Sequence, residues 1–197
     1  MLRSKWQTCR FYLLVFLYLC TIMPPVNNEE LFPLVNEQGE VTGSATRAFC
    51  HGGTKPLHPV IHLHLLNNNG ELYLQKRALS KDIQPGKWDT AVGGHIDYGE
   101  SVEEALLREV REELGITGFT PRFLLSYIFE SAIEREFIYV YATRYNGAIT
   151  PDPSEISEGR FWTLSEIAAA MGTGIFTPNF EQELPRIREV LNAIGVK

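Results

Sequence analysis

Apolar positions follow two different periods along this chain. "ELFPLVNEQGEVTGSATR", from Glu30 to Arg47, reads as two short strands around a turn at Glu37–Gly39. "HPVIHLHLLNNNGELYLQKR" reads as a hairpin that turns at "NNNG", with strict alternation in "ELYLQKR". "SKDIQPGKWD", punctuated by Pro85 and Gly86, is a loop. Strands are predicted at "FLLSYIFES" and "EFIYVYATRY", a turn at "PDPSE", and a short strand at "EGRFWT". "LSEIAAAMG" and "PNFEQELPRIREVLNAIG" carry the helical period, and Pro185 is expected to break or kink the second.

The most informative helix lies between these strands. Ser101 with Glu104 three residues on makes a capping-box pattern, and Gly115 supplies a stop, so roughly Val102 to Leu114 should be helical. Leu106, Val110 and Leu114, joined by Leu107, form the expected buried stripe. Strands, a helix, then strands and helices again predict an α/β fold: a mixed sheet sandwiched between helices. No internal repeat or long linker interrupts the chain beyond Pro25.

Glu109, Glu112 and Glu113 sit at i, i+3 and i+4 on that helix and share a neighbouring face. Like charges at this spacing destabilise an isolated helix by roughly 0.2–0.5 kcal/mol per pair. A hard divalent cation with oxygen ligands is the natural compensation. A bare E-x-x-E-E run is ordinarily a solvated acidic face, so the residues upstream have to decide.

Composition changes the picture only at its margins. The chain has 197 residues, 44% of them hydrophobic and 21% charged, which suits one globular domain with its own core. A net charge of -6 argues against a broad phosphate-neutralising surface for nucleic acid, though not against a small phosphorylated ligand held with a metal. Of three cysteines, Cys9 and Cys20 lie near the N-terminus and only Cys50 in the globular part, which fits a reducing, cytoplasmic setting. "MLRSKWQTCR" is basic and "FYLLVFLYLCTIM" is nearly unbroken apolar sequence. Residues 1–24 therefore read either as a signal-like segment that exports or anchors the chain, or as a start-site artefact with Met23 opening the working protein. The domain proper is expected over 25–197. No stable membrane partner is expected, and nothing marks a dimer interface, so a homodimer stays open.

Gly94, Glu100 and the run Arg108-Glu109-Val110-Arg111-Glu112-Glu113-Leu114-Gly115-Ile116 fill every fixed position of the Nudix box, over 94–116. The sequence resembles the Nudix hydrolase family. The resemblance implies an α/β/α sandwich and a loop–helix–loop that holds Mg2+ or Mn2+ against a diphosphate. Glu109, Glu112 and Glu113 would ligate the metal, with the Gly94 carbonyl nearby. Glu112 and Glu109 would be the catalytic pair, and Arg108 would pair with Glu100 in a structural role. The implied reaction is attack of water on the diphosphate linkage of a nucleoside diphosphate derivative or a similar small diphosphate.

A finer resemblance is to type I isopentenyl diphosphate isomerases, carried by "LYLQKRALSKDIQPGKWDTAVGGHIDYGES". These enzymes hold a metal through three histidines and two glutamates. His51, His58, His95, Glu134 and Glu136 match that set and form a second metal or polar site in expectation. Arg77 and Lys81, in "RALSK", become candidate diphosphate contacts. His62 and His64 read as structural. The isomerases carry a cysteine just before the Gly-His of the box, and here that position is Gly93. With the thiol gone and the box complete, the expectation is a hydrolase on an isomerase-like scaffold. An isopentenyl diphosphate isomerase and a non-catalytic sensor of a nucleotide metabolite are the alternatives.

Overall fold

The computed structural model describes residues 29–193, so the signal-like segment at 1–24 lies outside the described residues. All the elements below belong to the unit Leu31–Lys197. Among the described residues, no helix is long and apolar enough to cross a membrane.

The strand β3 (His58–Leu66) organises everything else. All nine of its residues are buried, because helices cover both of its faces. Ile61, Leu63 and Leu65 point to one face and pack with Val92 and with Leu106, Val110 and Leu114 of the helix α2 (Val102–Leu114). Val60 and Leu66 point to the other and pack with Phe180, Leu184 and Ile187 of α4 (Pro178–Ala193). The sheet is mixed. β3 runs parallel to β8 (Arg135–Arg144), and β8 runs antiparallel to β7 (Arg122–Glu130).

On its other edge β3 changes partner part-way. Only Leu65 and Leu66 pair with β4 (Leu72–Arg77), so the predicted hairpin closes at its turn and then splays. The stretch β5 (Trp88–Asp89) and β6 (Val92–His95) fills the opening: β5 pairs with β4, and β6 pairs with β3 from Val60↔His95 to Leu63↔Val92. The far edge of β4 carries β9 (Ile156–Trp162), which starts two residues before the predicted strand. A separate hairpin, β1 (Leu31–Val35) and β2 (Val41–Thr46), packs against β3 through Val35 and Leu57. α3 (Leu164–Ala170) adds Ile167 to the core under α4.

Three local expectations change. Leu107 is not part of the buried stripe; it is 51% exposed. Each helical residue turns about 100° from the last, which carries Leu107 off the core side. Ala105 and Glu113 are buried instead. Pro185 neither breaks nor ends α4, which runs through it. The buried neighbours Phe180, Leu184, Ile187 and Leu191 hold the helix against the sheet across the missing amide. Between β2 and β3 the chain forms a four-residue helix, α1 (Arg47–Cys50), capped by the Thr46 hydroxyl, which the pattern did not announce.

Candidate functional site

The acidic helix begins as its sequence dictates. Ser101 Oγ accepts from the Glu104 amide, and the Glu104 carboxylate accepts from the Ser101 amide. Gly115 ends the helix in the left-handed region at φ 66°. Between these caps, Arg108 acts as a clamp. Its Nε and Nη2 donate to the two oxygens of Glu100 at 2.9 and 2.8 Å, and Nη2 also donates to the His95 carbonyl at 3.0 Å. This two-pronged contact ties the loop before α2 to the helix itself.

The three glutamates of the run have different surroundings. Glu109 accepts from Arg108 Nη1 at 2.8 Å and lies so close against Gly94 that a Cβ there would fall on its carboxyl group. Only glycine leaves room for that approach. Glu113 stands two turns from Leu106, on the core side of the helix, and is 7% exposed. Among the described residues its one side-chain donor is Gln75 Nε2, at 3.0 Å. Burial, with the neighbouring charge of Glu109, pushes its carboxyl up to about 8. Burial also raises Glu109, against the pull of Arg108. Glu112 is open to solvent and, among the described residues, reaches only Arg108 Nη1, at 3.3 Å. A buried carboxylate and a half-buried one that resist ionisation beside each other are the electrostatic condition a divalent cation relieves.

A second cluster stands on the far side of β6. His51, His58 and His95 each bring one ring nitrogen within 4.8 Å of the others. Their Nε2 atoms are all buried without a hydrogen-bond partner in the described residues. Buried polar atoms are normally satisfied, so three orphans facing one another fit a metal ligand set. His58 Nδ1 lies 2.9 Å from the Pro56 carbonyl, which accepts its proton and leaves the Nε2 lone pair free. Burial, with Arg47 and His58 adding to it, lowers His51 to about 4. Burial likewise lowers His58, and lowers His95 furthest. All three are neutral imidazoles at pH 7. The Phe32 ring stacks on His95 at 4.2 Å and closes the cluster from the β1 side.

The other candidates meet this cluster to different degrees. Glu134 lies 3.9 Å from His51 Nε2. Glu136 pairs in register with His58 but accepts from Asn179 Nδ2, at 3.2 Å, and burial beside Glu134 raises its carboxyl above the usual range. Arg77 donates from Nε to the Ile83 carbonyl at 3.0 Å and stands 3.7 Å from Asp89. Lys81 is paired with Glu155. The Lys81 charge opposes protonation of His95 and favours ionisation of Glu113, so it is within electrostatic reach of both clusters.

Sequence reasoning missed four residues here: Gln75 on Glu113, Asp89 beside Arg77, Arg47 beside His95 at 3.5 Å, and Glu183. Glu183 is fully buried on α4 and accepts from His62 Nδ1 at 2.8 Å, His64 Nε2 at 2.6 Å and Tyr127 Oη at 2.9 Å. The alternation of two histidines on a strand is the only advance signal of it.

Comparison with known proteins bears on this geometry. The NUDIX domain profile matches residues 56–180. An isopentenyl-diphosphate Delta-isomerase of Mycolicibacterium vanbaalenii is 31% identical over 183 residues, 88% of this chain and 98% of the relative. An uncharacterized Nudix hydrolase of Listeria monocytogenes is 33% identical over 155 residues, 77% of this chain and 90% of the relative. The crystal structure of the DR0079 protein of Deinococcus radiodurans superposes with a TM-score of 0.71 at 30% identity, covering 80% of this chain and 98% of that one. The profile takes in the box, His58, His95 and the strands β3 to β9, and with these relatives it shows that the chain belongs to the Nudix family.

Proposed function

We propose that the chain is a hydrolase dependent on Mg2+ or Mn2+ that cleaves the diphosphate linkage of a nucleoside diphosphate derivative or a similar small diphosphate. The observation that carries this reading is the box itself. Glu109 is seated on Gly94, Glu113 is buried beside it, and Arg108 joins Glu100, Glu109 and Glu112 in one network. Glu109, Glu112 and Glu113 would hold the cation. A bound divalent cation neutralises diphosphate oxygens and lowers the pKa of a ligated water.

The protein's own groups supply the rest. Glu112, open to solvent, and Glu109, pinned by Arg108, are the two carboxylates available to take the proton of the attacking water. Arg77 and Lys81 offer cationic donors to the diphosphate, Lys81 after release from Glu155. The same reading puts the enzyme in a reducing, cytoplasmic compartment.

A second reading, isopentenyl diphosphate isomerisation, is favoured by the histidine trio and by the named relative. Against it stands Gly93, where the resemblance calls for a thiol. No side chain there can exchange a proton with carbon.

Nucleoside, sugar and prenyl diphosphates incubated with the full chain and Mg2+ or Mn2+ separate these readings. Phosphate or nucleotide release that falls by orders of magnitude in Glu112→Gln supports the hydrolase. Conversion of isopentenyl to dimethylallyl diphosphate without release overturns it in favour of the isomerase. Binding without any product favours the sensor.

A further inference from the structure

Gly93 and His62 pair in register across β6 and β3 and face the same side of the sheet as His95 and Val60. The atoms nearest a Cβ placed on Gly93 would be His62 Cδ2 at 3.5 Å, His62 Nε2 at 3.6 Å and a Thr90 methyl at 3.9 Å. These are ordinary contact distances, so the glycine leaves a shallow notch in which the first carbon of a side chain would fit. Solvent reaches Gly93, which is half-buried, and the notch lies between the box glycine Gly94 and the histidine trio. At its floor is a ring edge that is 8% exposed.

The orientation of that ring is fixed from behind. His62 Nδ1 donates to Glu183, and no described residue bonds Nε2, which with Cδ2 forms the ring edge turned toward the notch. Glu183 accepts three bonds in all, so it is an ionised acceptor with a buried charge that needs a counter-charge. The groups facing His62 are Glu183 and His64, with Asp89 and Glu136 at longer range. Burial opposes its protonation, but these carboxylates raise it above its ordinary value. Nε2 therefore carries a proton. The surrounding carboxylates repel a bare phosphate, so the group best received is an uncharged oxygen.

We infer that His62 is a specificity-determining residue: through the notch at Gly93, its Nε2–H donates to a carbonyl or hydroxyl oxygen on the organic part of the diphosphate substrate. A purely hydrocarbon tail offers no such acceptor and leaves a buried donor unpaired, which selective sites exploit to reject an analogue. The inference rests on the diphosphate reading above and narrows it to nucleoside or sugar diphosphates over prenyl ones.

The test compares two probes with the same terminal diphosphate, uridine diphosphate and isopentenyl diphosphate. Their affinities for the full chain are measured by calorimetry with Ca2+ replacing Mg2+. The wild type should prefer uridine diphosphate, and the preference should shrink by about tenfold or more in His62→Phe, the worth of one hydrogen bond to a charged group. Gly93→Ala, whose methyl lies on the His62 ring edge at ordinary contact distance and leaves the His62–Glu183 pair intact, should shrink it as well and guards against misfolding of the first variant. In 15N spectra the His62 Nε2–H signal should move with uridine diphosphate and stay with isopentenyl diphosphate. An unchanged preference in both variants, a wild-type preference for the prenyl probe, or a signal blind to uridine diphosphate overturns the inference. Hydrolysis in Mg2+ is scored separately: selective binding without turnover sinks the hydrolase and spares His62, and turnover without selectivity does the reverse.

Discussion

Glu113→Gln should make the metal-free protein more stable. Glu113 is buried on the core side of α2 with a single donor, and its carboxyl sits at about 8 against an ordinary 4.5. Between those values the unfolded chain has released the proton while the folded chain keeps it. The folded state binds more protons there, so the contribution of Glu113 to stability is full below pH 4.5 and falls as pH rises toward 8. Each whole step of pH above 4.5 removes roughly 1.4 kcal/mol, so the loss at pH 7 is about 3 kcal/mol. An amide of the same shape still accepts from Gln75 and carries no charge to ionise. Thermal unfolding in EDTA at pH 7 should therefore give the variant a Tm roughly 6–12 °C above wild type. Wild-type stability should decline between pH 6.5 and 8, and the decline should be shallower in the variant. Mg2+ should raise the wild-type Tm and leave the variant's nearly unmoved. A variant that melts at or below wild type in EDTA, or a wild-type stability that is flat or rising over that window, refutes the placement of this carboxylate.

Other outcomes follow from the same geometry. Gly94→Ala puts a methyl on the Glu109 carboxyl. It should lower kcat by at least about tenfold with near-normal far-UV circular dichroism, since displacing an aligned group by an ångström is costly. Arg108→Lys cannot reproduce the paired bonds to Glu100 or keep the His95 carbonyl. It should cost about 1–3 kcal/mol in urea unfolding. Below pH 6.5 the slope reverses: His51, His58 and His95 stay neutral in the fold but protonate in the unfolded chain. Stability from these groups is present above 6.5 and lost toward acid, and His95→Gln should flatten the acid limb of a Tm–pH curve.

How much of this is readable from sequence depends on how local the cause is. The caps of α2 are written within three residues of each other, Ser101 with Glu104, and the structure forms both bonds. The box spacing likewise brings Arg108 onto Glu100, because one helix and one short loop fix the distance. Leu107 departs from expectation because four-residue spacing does not extend to a neighbour on the wrong side of the helix, where Glu113 in fact shares the core stripe. Pro185 departs from it because local propensity yields to tertiary packing. Glu183 is hidden by distance: it meets His62 and His64 across 121 and 119 residues, and nothing near it in sequence marks it as their acceptor. The same holds for Phe32 stacked on His95.

Incubation with uridine diphosphate and glucose-linked uridine diphosphate in 18O-water, followed by 31P NMR, asks most directly whether the box turns water against phosphorus. With Mg2+ the full chain should release a phosphate product bearing 18O, none should form in EDTA, and Glu112→Gln should slow its release by orders of magnitude. Label-free products, or release at an undiminished rate from Glu112→Gln, would contradict the assignment of these carboxylates to catalysis.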